Sequence, residues 1–223
     1  NVLMGIISLF VYSAIIALAY VGYTQNNIPF LSDDINTRIK EPIFQTYSRE
    51  YAEEEMKIEE EKYKDIEKRN IDINVGASEF TLEDNIESQN YISLKSKYVQ
   101  GHIEPELESS SKNNELNIEF TTKSPKNIFF FRNIYSKFDL ELGLTTLLTN
   151  LDIELGAGEG LVSLENVSIV NVNAKVGAGD LEISLLKNSV PKKMIIEIGA
   201  ANMDLTIPKD SGFTIEYKVG VGD

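Results

Sequence analysis

The stretch Ile153-Glu-Leu-Gly-Ala-Gly-Glu159 is written again as Ala174-Lys-Val-Gly-Ala-Gly-Asp180, as Ile196-Glu-Ile-Gly-Ala-Ala-Asn202 and as Tyr217-Lys-Val-Gly-Val-Gly-Asp223. The first glycine of each copy stands at Gly156, Gly177, Gly199 and Gly220, at steps of 21, 22 and 21 residues. A fixed period of this length marks a stacked array, in which each repeat buries its apolar face against its neighbours. An outlying copy, Ile71-Asp-Ile-Asn-Val-Gly-Ala-Ser-Glu-Phe-Thr-Leu82, is centred on Gly76.

Aligning the five copies on that glycine separates inside from outside. One residue before it lie Val75, Leu155, Val176, Ile198 and Val219, and three before it lie Ile73, Ile153, Ala174, Ile196 and Tyr217. Apolar side chains return four and six positions after it as Phe80 and Leu82, Leu181 and Ile183, and Met203 and Leu205, with Gly160 and Val162 as the weak copy. Period two on both sides of a glycine predicts a strand, a tight corner and a second strand, with one face inward. At the corner the glycine supplies either a positive φ or room for close approach.

Two residues before the glycine stand Asn74, Glu154, Lys175, Glu197 and Lys218. In a parallel, in-register stack at the roughly 4.8 Å strand spacing, the last four form an outward ladder of alternating sign. Each exposed pair contributes only about 0.2–1 kcal/mol, so the ladder sets register while the apolar columns supply stability.

Upstream, Tyr91–Lys95, Glu115–Thr121 and Phe138–Leu142 alternate as half-buried strands, separated by turn-rich breaks at Glu108–Asn114 and Lys123–Asn127. The 80 residues from Gly76 to Gly156 are not a multiple of 21, so residues 71–150 are expected to be a less regular β layer that caps the regular repeat of 151–223.

The amino-terminal part reads differently. From Val2 to Tyr23 the chain is apolar, and its first charge is Asp33. As a helix this run would span about 33 Å, close to the roughly 30 Å of a bilayer's hydrocarbon core. A transmembrane helix over residues 1–24 is therefore expected, with Tyr20 and Tyr23 at an interface. A signal peptide ending at Ala17-Leu-Ala19 is the alternative, set against the missing basic n-region and the length of the apolar run. Arg38 and Lys40 do not fix an orientation. Residues 25–70 then read as a juxtamembrane linker broken by Pro29 and Pro42, and a charged helix over Tyr47–Arg69. That helix rests on the i,i+4 pairs Glu53/Lys57, Glu60/Lys64 and Asp65/Arg69. Met56 and Ile58 alternate with charges, so the segment's C-terminal half could instead belong to the sheet. A start at Asn1 and a stop inside a repeat lead us to expect a fragment of a longer protein.

Composition narrows the function. The formal net charge is −14 with no basic cluster, which disfavours a nucleic-acid partner. There is no cysteine and one histidine, His102, expected at a surface or strand edge, so thiolate sites and histidine-pair metal sites are excluded. Gly156-Ala-Gly-Glu-Gly160 lacks the Lys-Ser/Thr and following helix of a phosphate loop. The column Glu79, Glu159, Asp180, Asn202 and Asp223 would offer carboxylates to Ca²⁺, but Asp and Asn are also ordinary turn residues and the nine-residue Gly-Asp pattern of calcium rolls is missing. Asp152 or Glu154 would serve a β-helix polysaccharide enzyme as a general acid, yet nothing marks a pair. No catalytic, cofactor-binding or metal residue is assigned, and no cofactor.

The run Phe138-Asp-Leu-Glu-Leu142, Leu151-Asp-Ile-Glu-Leu-Gly-Ala-Gly158, Lys175-Val-Gly-Ala-Gly-Asp-Leu181 and Glu197-Ile-Gly-Ala-Ala201 resembles the bacterial toast-rack domain and the related C-terminal domain of cell-wall-active-antibiotic response proteins. The resemblance covers about residues 71–223. It implies an all-β solenoid joined to transmembrane helices in the bacterial cell membrane, without enzymatic activity. It further implies partners in the lipid bilayer and in a sensor kinase or other membrane protein of envelope-stress signalling. The alternative is a surface adhesion or glycan-binding solenoid.

Overall fold

The computed structural model describes residues 51–123, 136–144 and 146–221. The expected span at Val2–Tyr23 lies outside the described residues, as do Asp223 and most of the linker. Among the described residues no helix is long and apolar enough to cross a membrane.

Among the described residues ten strands follow in chain order: β1 Tyr51–Glu59, β2 Lys68–Asp84, β3 Asn90–Val99, β4 Glu104–Lys112, β5 Glu115–Lys123, β6 Lys137–Leu142, β7 Leu148–Leu164, β8 Ile169–Leu185, β9 Lys193–Thr206 and β10 Thr214–Val221. The repeat forms a parallel run β2-β7-β8-β9-β10. Its register is the glycine alignment: Val75 pairs with Leu155, Leu155 with Val176, Val176 with Ile198 and Ile198 with Val219.

Each long strand turns over at its glycine. In β2, Arg69, Ile71, Ile73 and Val75 are buried, Gly76 and Ala77 are both exposed, and burial resumes at Ser78, Phe80 and Leu82. Two successive outward residues shift the pleat by one, so the halves before and after the glycine face each other across a single core. Arg69, from the first half of β2, reaches the carbonyls of Tyr91 and Gly143 across that core at 2.8 and 2.7 Å. Phe120 of β5 meets Phe138 of β6 edge-on at 5.3 Å.

The first half of β2 is flanked by β5, itself paired antiparallel to β4, and the second half by β6, followed by antiparallel β3 and β1. Two strands, β5 and β4, thus lie in front of the first half-coil, and three, β6, β3 and β1, in front of the second. The weak copy at Gly160 also has a packing reason. A Cβ there would lie 2.5 Å from the Phe80 ring and 2.7 Å from Leu181, whose side chains fill the space.

Two expectations are corrected. Tyr47–Arg69 holds no helix within its described part: Tyr51–Glu59 is a strand, Glu60–Lys62 a single 3₁₀ turn, and β2 begins at Lys68. Of the charges that suggested i,i+4 pairs, Glu53 meets Lys97 of β3 at 3.1 Å, and Lys57 meets Glu59 of its own strand at 3.0 Å. Ile58, opposite Ile92, is buried. Glu108–Asn114 is mostly strand, and its turn is confined to Asn113 and Asn114, with φ of 54° and 60°. Two residues in the left-handed region are what a tight hairpin between β4 and β5 requires.

Candidate functional site

The outer face of the pre-glycine halves carries three polar rows perpendicular to the strands. The first is an asparagine ladder. Asn70 Nδ2 donates to Asn117 Oδ1 at 2.8 Å, Asn150 Nδ2 to Asn70 Oδ1 at 2.8 Å, and Asn171 Nδ2 to Asn150 Oδ1 at 3.0 Å. A side-chain amide has both donor and acceptor, so identical residues in register bond head to tail.

The third row is the alternating ladder. Asn74, Glu154, Lys175, Glu197 and Lys218 are register neighbours in that order, and Lys218 Nζ lies 3.1 Å from Glu197 Oε1. With the glycines of the corner, it lines a groove along the stack.

Between them runs a row that was not foreseen. Register sets Glu108 opposite Glu119, Glu119 opposite Asp72, and Asp72 opposite Asp152, four carboxylates on adjacent strands. Only beyond Asp152 does the row turn neutral, where Asn173 Nδ2 donates to Asp152 Oδ1 at 2.9 Å. Like charges directly opposite destabilise a sheet. The Asp72 carboxyl is accordingly raised above the usual range, first by partial burial, then by Asp152, Glu119 and Glu154, against a smaller opposing effect of Lys175. These acids and the Ser109–Ser110 edge of β4 line a second groove.

The residues weighed for chemistry are dispersed. Asp152 and Glu154 are exposed members of two different rows. Gly156–Gly160 lies within the continuous strand β7, with no helix after it. Glu79, Glu159, Asp180 and Asn202 stack in register, and Asn202 Nδ2 donates to Asp180 Oδ1 at 2.9 Å. No group of three or more His, Cys, Asp or Glu able to hold a metal ion occurs among the described residues. His102 sits in the turn between β3 and β4, its Nδ1 at 3.2 Å from the Gln100 carbonyl.

Arg69, whose spacing from Asp65 suggested one charge of a solvated helix, is a core residue instead. It is wholly buried, with no carboxylate among its hydrogen-bond partners, and burial pushes its guanidinium down to about 10. Besides the two carbonyls across the core it donates from Nε to Thr149 Oγ1 at 2.9 Å. It thereby ties the start of β2 to β3, to the end of β6 and to β7.

A family model described as the N-terminal domain of toast_rack, DUF2154, matches residues 47–206. Among curated proteins none matches the chain. A solved structure from Clostridium sporogenes ATCC 15579, named a "putative cell adhesion protein", aligns at 20% identity and a TM-score of 0.61, covering 78% of this chain and 97% of that one. A "putative adhesin" from Bacteroides fragilis NCTC 9343 covers the same shares at 9% identity, but its TM-score of 0.28 carries no weight for the fold. Glycine-cornered coils in parallel register, together with a family match over most of the sequence, make this chain a member of the toast-rack family.

Proposed function

We propose that the chain is a membrane-anchored, non-enzymatic β-repeat module of the bacterial envelope that acts by protein-protein interaction, as an accessory to a sensor kinase in envelope-stress signalling. The observation that carries it is the division of labour in the repeat. Apolar columns are committed to stacking, while the outer face is a set of extended polar rows rather than a cleft with convergent acid and base. A row of carboxylates that does not help the stack suits recognition better than catalysis. The anchor rests on the apolar run Val2–Tyr23 and the kinase on the family resemblance.

Deleting the gene should change the transcriptional response to a cell-wall antibiotic, and the kinase should co-purify with the tagged chain from detergent-solubilised membranes. An unchanged response with no kinase recovered would remove the signalling role. A surface adhesion module is the second reading, favoured by the fold shared with the Clostridium sporogenes protein and that protein's name. Protease treatment of intact cells separates the two: cleavage of the β domain supports adhesion, whereas protection supports a cytoplasmic regulator.

A further inference from the structure

β1 is held differently from the strands beside it. Among the described residues it pairs with β3 alone, antiparallel, from Tyr51 opposite Val99 to Ile58 opposite Ile92, where a register shift interrupts the ladder. Its inward positions are Ala52, Glu54, Met56 and Ile58, and of these only Ile58 is buried. Across the ladder Ile92 and Leu94, which face Ile58 and Met56, are wholly buried. β3 belongs to the core, and β1 is laid against its edge.

Just past β1 the chain is clamped. The Tyr63 hydroxyl donates to the Ser109 carbonyl of β4 at 3.0 Å, and the Tyr91 hydroxyl of β3 donates to the Tyr63 carbonyl at 3.0 Å. Lys62 Nζ donates to Ser109 Oγ at 3.2 Å, and Tyr63 and Ile66 pack against the core. None of these contacts passes through β1. A strand with few buried side chains, next to a fixed point, is the kind of element that opens while the rest of a fold stays closed. The opening would stop at the 3₁₀ turn Glu60–Lys62.

The edge that β1 covers has a distinct chemistry. On the outer face Glu53 meets Lys97 at 3.1 Å, and Glu55 stands opposite Lys95. On its other side Lys97 faces Lys137, so β1 supplies the acid that Lys97 pairs with. With β1 withdrawn, β3 would present its backbone groups, Ile92 and Leu94 on the inner face, and Lys95 and Lys97 on the outer one.

We propose that β1 is a releasable strand that keeps the edge of β3 closed, and that its withdrawal opens this edge to an extended segment of a partner protein. The segment would carry β1's own pattern, acids outward and apolar residues inward, and add antiparallel to β3. Strand addition of this kind takes affinity from the main chain and specificity from alternate side chains. β1 is the first described strand after the apolar run Val2–Tyr23, so a pull on the linker reaches it before any other described strand. The biological use of such an edge rests on the protein-protein reading above; the opening and the capture do not.

The chain contains no cysteine, so β1 can be locked in the full chain, held in mild detergent, by Lys57→Cys with Ser93→Cys. These are directly opposed residues, within disulfide range. In hydrogen exchange, the β1 amides bonded to β3 should exchange at least tenfold faster than those β3 shares with β6, and oxidation of the cysteine pair should remove most of that difference. A photoreactive peptide with the sequence of Tyr51–Glu59 should label β3 in the parent chain and in the reduced pair, but not in the oxidised pair. Ile58→Asp, which weakens the chain's own β1, should raise the labelling at least tenfold, and Lys95→Glu/Lys97→Glu should lower it about tenfold. An unchanged antibiotic response on gene deletion would remove the signalling role and leave these results standing. Bonded β1 amides that exchange only as the whole sheet unfolds overturn the proposal, as does labelling that is equal in the oxidised and reduced pair; neither result depends on Ile58→Asp folding. Dimers that form on opening in place of peptide capture overturn it in favour of strand exchange between copies.

Discussion

Gly177→Ala should destabilise the stack, whereas the same change at Gly76 should not. At Gly177 a Cβ would stand 2.5 Å from the Gly156 carbonyl oxygen of the coil before it. Relief to about 3.2 Å requires the coils to part by roughly 0.7 Å at the corner, which stretches ladder hydrogen bonds of ~2.9 Å beyond useful length. Overpacking of this kind costs about 1–3 kcal/mol and each weakened bond about 0.5–1.5 kcal/mol, against about 0.4–1 kcal/mol regained from the stiffer unfolded chain. The expected net loss is about 2–4 kcal/mol.

Gly76 opens the same phrase, but β2 has no repeat coil before it. The nearest atom to its Cβ would be Thr122 Oγ1 at 3.6 Å, an ordinary contact, and the φ is unremarkable. Gly76→Ala should be neutral or stabilising by up to about 1 kcal/mol. Gly179→Ala should be the worst of the three, combining a φ of 110° with a Cβ 2.0 Å from the Gly158 carbonyl oxygen. Urea unfolding followed by far-UV circular dichroism measures the series, with hydrogen exchange to locate the loosened coil. Equal midpoints for Gly76→Ala and Gly177→Ala would refute the close-approach account.

Lys175→Glu places three acids in a row where the ladder now alternates, and should cost about 0.5–1.5 kcal/mol at low salt, with the loss shrinking as salt screens it; an unchanged midpoint at low salt counts against the ladder. Asp72→Asn should raise stability at neutral pH by a few tenths to about 1 kcal/mol, because it interrupts the carboxylate row. The folded pKa of Asp72 lies above its unfolded value, so the native protein takes up its proton first on acidification. The cost is therefore fully present above the folded pKa and is relieved as pH falls through it toward the unfolded value of 3.8. The advantage of Asp72→Asn over the parent chain should shrink over that window, and urea midpoints across it would show a constant gap if the reasoning is wrong. Arg69→Ala should cost about 3–5 kcal/mol, since it empties the core position and strands the Tyr91 and Gly143 carbonyls; a thermal-melt shift no larger than that of a surface lysine substitution would contradict this.

What the sequence disclosed was whatever repeats locally. The glycine phrase carries its own alignment, so register, inward columns and the Glu154-Lys175-Glu197-Lys218 ladder were legible before any coordinates. The roles of the glycines were only half legible. Gly156, Gly177, Gly199 and Gly220 are there for close approach, while positive φ falls on the second glycine of the phrase, Gly158 and Gly179. Ala201 occupies that second position in β9 without a positive φ.

The illegible parts depend on partners distant in the chain. Glu53 and Lys57 satisfy a helical spacing as well as a strand edge, and only Lys97 and Ile92, brought alongside by β3, decide between them. Arg69 resembles any solvated arginine until Tyr91, Gly143 and Thr149 converge on it. The acidic row is assembled from β4, β5, β2 and β7, whose contributing residues lie 11, 47 and 80 positions apart in register.

That row separates what the outer face does for the fold from what it leaves for a partner. Asparagines that bond head to tail and charges that alternate from coil to coil both favour the in-register stack, and neither implies a ligand. Glu108, Glu119, Asp72 and Asp152 set like charges opposite one another on the stack, and the Asp72 carboxyl is raised by its partial burial first and by that repulsion second. Replacing one of them with asparagine would continue the amide ladder beside it and remove repulsion, so stability alone gives no reason for four acids. A surface used to recognise a basic counterpart would keep them for long-range attraction. Binding and stability should therefore move in opposite directions along this row, whereas along the alternating ladder they should move together.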